Sequence, residues 1–238
     1  MRLQSVTGIP ITLDTLPPAK ADSKLRSANI CHKQCCCRHL QSDYTGNMIP
    51  DTSPEKRAPE PLHVVQRFVN SVDLETGEED LATPGALRDW LAERGLMDAE
   101  EPVTEGDLRR AIDVREGLRA LLLANNGLTL DGAAVERLNR AASRAGMRLR
   151  YDTEGGATLE PDATGVDGAL ARLMAVVAEA TADGTWERLK ACPKEDCYWA
   201  FFDRSKNRSG RWCKMEVCGN VEKARAYRQR HRGDAAKA

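Results

Sequence analysis

Apolar residues fall into a helical rhythm from His63 onward. HVVQRFVNSV places Val64, Val65, Phe68, Val69 and Val72 on one stripe, the spacing of an amphipathic helix. Thr83 followed by Pro84 is a helix start, with the hydroxyl as cap and the imino acid at the first helical position. The helix carries Leu87, Trp90 and Leu91 and stops at Gly95. Thr104 opens a longer helix striped by Leu108, Ala111, Ile112, Leu118, Leu121 and Leu122, ended by Asn125-Asn126-Gly127. Asp131 caps a further segment with Val135, Leu138 and Ala142, ending at Gly146. MRLRYD and ATLEP flank a Thr-Glu-Gly-Gly turn and read as a hairpin. Val166 to Ala182 is another helix, with Leu170, Leu173, Met174 and Val177 toward a core. The expected class is mainly α with a small β element (α+β).

Upstream of His63 the rhythm fails. Pro10, Pro17, Pro18, Pro50, Pro54, Pro59 and Pro61 punctuate the segment, and no helical period survives more than a turn. Residues 1–61 are therefore expected to be a disordered or extraneous tail, with Met48 an alternative start.

Composition changes the picture in one respect. The 238 residues carry a formal net charge of −1, but the charge is unevenly spread. From Trp186 to the C-terminus there are 14 Lys/Arg against 7 Asp/Glu, and 7 of the 11 aromatic residues. A basic, aromatic-rich end on an acidic body reads as two domains, 62–185 and 186–233, with different work. The longest strongly apolar run, LMAVVAEA from Leu173, is under half of the ~20 residues a membrane span needs. The N-terminus lacks a sustained apolar run after a basic start. No membrane partner and a cytoplasmic location are the expectation.

The eight cysteines form two clusters. In the later one Cys192-x4-Cys197 and Cys213-x4-Cys218 are separated by fifteen residues. Two short pairs closed by a hairpin-sized insert suit tetrahedral zinc, each pair giving two thiolates from a tight turn. Four cysteines leave no coordination position for water, so one structural Zn2+ is expected, and its binding should help fold a module too small to fold alone. The bland alternative is four reduced, buried cysteines. Tyr198 to Phe202 reads as a strand whose rings cover the site. The turn after it brings Arg204, Lys206, Arg208 and Arg211. Asn220 is the expected N-cap of a last helix with Val221, Ala224 and Tyr227 inward. Arg225, Arg228 and Arg232 form a cationic stripe along it, with Lys223 and Arg230 beside. A basic helix next to a zinc turn has the electrostatic footprint of a nucleic-acid binder, although cations near a helix C-terminus also suit the dipole on their own.

The earlier cluster, Cys31, Cys35, Cys36 and Cys37 with His32 and His39, has metal-binding chemistry but no flanking core to preorganise it. The acidic body offers little else. His63 stands alone, and Asp107 and Asp113 do not share a helical face with each other. No phosphate loop or nucleophile motif appears, so no catalytic residue is assigned and the chain is read as a non-enzyme.

At FFDRSKNRSGRWCKMEVCGN, with ACPKEDC before and VEKARAYRQRHR after, the chain resembles the CGNR zinc-finger family of bacterial proteins. The family's Cys-Gly-Asn-Arg motif reads here Cys218-Gly219-Asn220-Val221. RFVNSVD and DLATPGALRDWLAERGL resemble its usual partner, the ABATE domain. The resemblance implies a helical, ligand-sensing-like N-terminal domain and a small treble-clef-like or ribbon zinc finger ending in a basic helix. It implies Cys192, Cys197, Cys213 and Cys218 as ligands, and a stress-related transcriptional regulator that binds DNA. Lys223 or Arg225 would stand in for the missing motif arginine. The turn and helix cations would grip phosphates, with Arg208 or Arg225 reaching guanine. A small-molecule effector of the helical domain and a homodimer belong to the same expectation. The alternative is a zinc-stabilised protein-interaction module, with Trp199 and Trp212 gripping the partner.

Overall fold

Helix caps written in the sequence fix the body's frame. The computed structural model describes Ile49 and residues 52–235, the side chains of 232–235 excepted; the Cys31–Cys37 cluster and Met48 lie outside the described residues. α1 spans Leu62–Val69. α2, Pro84–Glu93, starts where the Thr83 hydroxyl accepts from the Ala86 N–H. α3, Glu105–Asn125, starts with a full capping box, in which Thr104 and Asp107 satisfy each other's backbone N–H groups. α4, Gly132–Ala145, is capped by Asp131, and α5 spans Gly165–Ala182. The strands are short and pair as three antiparallel ribbons: β1 (Val72–Asp73) with β2 (Glu78–Glu79), β3 (Met147–Tyr151) with β4 (Ala157–Pro161), and β5 (Leu189–Ala191) with β6 (Ala200–Phe202). α6 covers Asn220–Ala235. Predominantly helical with small antiparallel ribbons, the chain has the expected α+β class.

One core joins α1, α2, α3 and α5. Val65, Phe68 and Val69 meet Leu87, Trp90 and Leu91, then Leu118, Leu122, Leu170 and Leu173. Phe68 and Trp90 pack edge to face, with centroids 5.5 Å apart. The same core continues into β5 and β6 through Leu189, Ala191, Ala200 and Phe202. The residues of the basic end are thus partly core to the helical body.

Two expectations are corrected, and α3 adds a feature that none of them named. The tail does not extend to residue 61. Ile49, Thr52 and Ala58 are buried, because the Gln66 amide gathers this segment: it accepts from Ala58 N and donates to Lys56 O. The inner face of α4 is Ala134, Leu138, Ala141 and Ala145 rather than Val135, Leu138 and Ala142. The shift follows from Gly117 on α3, where an added Cβ would stand 2.8 Å from Leu138 Cγ; the two helices approach at that glycine. Finally, α3 buries two arginines inside its apolar stripe, Arg115 and Arg119. Arg115 forks onto the Glu79 carboxylate at 2.7 and 2.8 Å.

Candidate metal centre and nucleic-acid interface

β5 ends directly at Cys192, whose N–H donates to Trp199 O at 2.9 Å and so carries the ribbon one rung further. Between these rungs the chain makes a tight turn through Cys197. Asp196 and Tyr198, on either side of it, have φ of +70° and +47°, the left-handed region that costs a residue other than glycine roughly 1–2 kcal/mol. The strain is held from outside, since Arg119 donates to Tyr198 O at 3.0 Å and to Val69 O at 2.7 Å. The second pair sits on a π-helical turn, Met215–Gly219, that runs straight into α6. Gly219 sits tightly there, since an added Cβ would stand 2.3 Å from Met215 Sδ and 3.0 Å from Trp212 Cδ1.

The two turns bring all four sulfurs within 4.8 Å of one another. Cys197 to Cys213 is 3.6 Å, Cys213 to Cys218 3.5 Å, and Cys218 to Cys197 3.8 Å. Zn–S bonds of about 2.3 Å in a tetrahedron require sulfur–sulfur edges of about 3.8 Å. The sulfurs are buried, walled by Phe201 with Trp199 and Trp212 half-buried against them. Four thiols packed this closely compete for one another's protons. A Cys192 thiolate is held far below the usual thiol range by hydrogen bonds from Cys197 and Cys213. Giving those hydrogen bonds to Cys192 pushes Cys197 and Cys213 up, and burial does the same to Cys218. A divalent soft cation removes the conflict. The four cysteines form a structural zinc site, and the metal supplies cross-linking of the two turns and nothing catalytic.

The basic turn between the pairs is built on a buried ion pair absent from the sequence expectations. Lys190 Nζ lies 2.8 Å from Asp203 Oδ2 and also donates to Arg208 O and Gly210 O. Asp203 accepts in addition from the N–H groups of Ser205 and Gly210. Burial alone would raise the Asp203 carboxyl; the lysine and the turn's donors outweigh it and hold it at about 2. A signal did exist in the sequence: a lysine between Leu189 and Ala191 in a buried strand demands a carboxylate. At the same ribbon, Asn126, the residue that ends α3, donates to Ala191 O and Arg211 O and so holds the turn's far end.

The eight expected nucleic-acid contacts are not equivalent. Arg204 donates to Arg57 O, Arg208 pairs with Glu187, and Arg225 lies 3.1 Å from Glu195 and 3.8 Å from Glu222. Arg211 lies over Trp212, and Arg228 makes a 3.3 Å bond to Ala224 O within its own helix. Lys206 and Lys223 are exposed and make no hydrogen bond or ion pair among the described residues. Arg232 is on α6, its side chain outside the described residues. Two details of α6 differ from expectation. Asn220 is helical, with φ −71° and ψ −39°, and does not cap, because the π turn feeds the helix continuously. Val221 and Tyr227 are 46% and 56% exposed, so the face expected to be inward is open.

Comparison with protein-family models matches residues 188–231 to the CGNR zinc finger. Residues 62–184 match ABATE, described as "Putative stress-induced transcription regulator". The chain belongs to the ABATE family. No curated protein matches it. The ABATE match ends four residues before the CGNR match begins, and that junction is the short 3-10 turn Trp186–Arg188 leading into β5. Both parts of the resemblance read from the sequence are therefore present in one chain, and the four zinc cysteines all fall inside the CGNR match.

Proposed function

We propose that this ABATE–CGNR protein is a DNA-binding transcriptional regulator, not an enzyme, and that it works in the reducing cytoplasm. The observation that carries the reading is the exposed cation set, Lys206 and Arg211 on the turn and Lys223 and Arg228 on α6, attached on both sides to one zinc-linked scaffold. Phosphate contacts of this kind position a protein on a duplex. Lys206 and Lys223, with no carboxylate to leave, cost least to transfer to phosphate. The regulator description of the family supports the same reading. No helix of the described residues is long and apolar enough to cross a membrane.

The test is fluorescence anisotropy of the full chain on duplex DNA at about 50 and 200 mM salt. Neutralising six or more phosphates should weaken binding by roughly 10³-fold or more across that interval. A flat response would remove the reading and leave a zinc-stabilised protein-interaction module. That second reading has its own observation: Met215, Val217, Val221 and Tyr227 are exposed side by side with the metal turn along the chain.

A further inference from the structure

Away from the zinc site, the close approach of α3 and α4 leaves a cavity of about 100 Å³ at their junction with α5. Its floor is apolar, made by Val114, Ala141 and Leu170. Its wall is not. Arg137, Arg140 and Arg144 come from α4 and Arg110 from α3, with Asp113 and Asp167 the only acidic groups of the lining. The sequence prepares this. Arg137, Arg140 and Arg144 are spaced i, i+3, i+7 and share one helical stripe, and that stripe borders the Ala134–Leu138–Ala141–Ala145 face that closes on Gly117. Arg110, Val114 and Gly117 share the opposing face of α3.

The charges are not internally settled. Arg110 is taken up by Asp107 and by Asp167, whose carboxylate lies 3.0 Å from its Nε. Arg137 has only a marginal 3.5 Å contact to Asp131. Arg140 and Arg144 are exposed and make no hydrogen bond or ion pair among the described residues. Like charges at this helical spacing repel, and guanidinium forks around an apolar-floored hollow match the planar, bidentate acceptor geometry of phosphate or carboxylate. A hollow of this size has room for an oxyanion group.

We propose that the α3–α4–α5 cavity is a binding site for the phosphate or carboxylate group of a small ligand, held by Arg137, Arg140 and Arg144. It stands independently of DNA binding, since it lies on the ABATE body and uses none of the finger's cations. Arg110 orients the pocket through Asp167, and Asp113 limits affinity by repulsion.

The experiment is isothermal titration calorimetry of the zinc-loaded full chain with inorganic phosphate, in the absence of DNA, against chloride at matched ionic strength. The expected result is one site per chain, weakened at least tenfold in the Arg140→Gln/Arg144→Gln variant and tightened severalfold in Asp113→Asn. Both changes are at exposed positions, and an unchanged melting temperature in chloride shows that the fold is kept. Asp113→Asn keeps the test informative if the double variant does not fold. Absence of phosphate binding in the wild type overturns the site, as does phosphate affinity unmoved by either change. A double variant that loses DNA affinity while keeping phosphate binding also overturns it, by assigning these arginines to the nucleic-acid surface. Failure of the DNA reading leaves the phosphate titration untouched, so the two can fail separately.

Discussion

Asp203 and Lys190 are each almost fully buried, and between them they satisfy four backbone groups of the basic turn. Removing one member of a buried pair strands the other's charge, which typically costs 3–5 kcal/mol. Asp203→Ala is therefore expected to lower unfolding free energy by about that much in urea denaturation and to loosen Lys206 and Arg208. The pH dependence has a definite sign. The folded carboxyl is held at about 2 against an ordinary 3.8, so the unfolded chain takes up protons first as pH falls. Stability from this group is complete above pH ~4 and is lost toward pH ~2, a contribution of about 2 kcal/mol. Equilibrium melts of wild type and Asp203→Asn over that interval should converge at the acid end; parallel curves would show that the Asp203 charge adds no pH-dependent stability. Gly210 belongs to the same unit, since an added Cβ would stand 2.7 Å from Asp203 Oδ1. Gly210→Ala should then reproduce part of the Asp203→Ala loss, checked in the same denaturation.

Among the elements, those with local punctuation were legible in the sequence. Thr83, Thr104 and Asp131 announce α2, α3 and α4 because a cap is satisfied by atoms within three residues of it. The two cysteine pairs were legible for the same reason, each being one turn long. The face of α4 was not, because Gly117, which chooses it, lies on another helix. The start of α6 was legible to within one residue, but Asn220 was taken for a cap because Cys-Gly-Asn looks like a stop and cap, whereas the π turn Met215–Gly219 runs into the helix without a break. On this helix the family arginine is replaced by the exposed Val221. Val221→Arg should strengthen DNA binding and steepen its logarithmic salt dependence by about one unit; Lys223→Gln should flatten it by about one. Anisotropy titrations over a salt series measure both, and equal slopes in all three proteins would show that the start of α6 does not touch phosphate.

Over the whole molecule, the division into body and finger was read from charge and composition, and the seam between them was beyond sequence reasoning. It is made by polar side chains whose partners lie far away in the chain. The Asn70 amide pairs with both backbone groups of Ala200, at 2.7 and 2.9 Å, and Gln66 donates to Ala200 O. Asn125 reaches Trp186 O and Leu189 O. Nothing in a helical stripe marks an asparagine as a strand's partner. The seam also ties the stability of the finger to that of the body. With β5 and β6 inside the common core, stripping zinc from the full chain should depress the melting of the helical body too, seen as one transition by far-ultraviolet circular dichroism at 222 nm. Two separate transitions would show that the body holds without the finger. The continuity of the π turn with α6 has a mechanical corollary. Sixteen residues of α6 extend about 24 Å at 1.5 Å each, and Cys218 grips this rod at its very root. The free end of a rod moves further than its root for the same tilt, so the placing of Cys218 governs where the arginines of α6 lie as well as how they are attached.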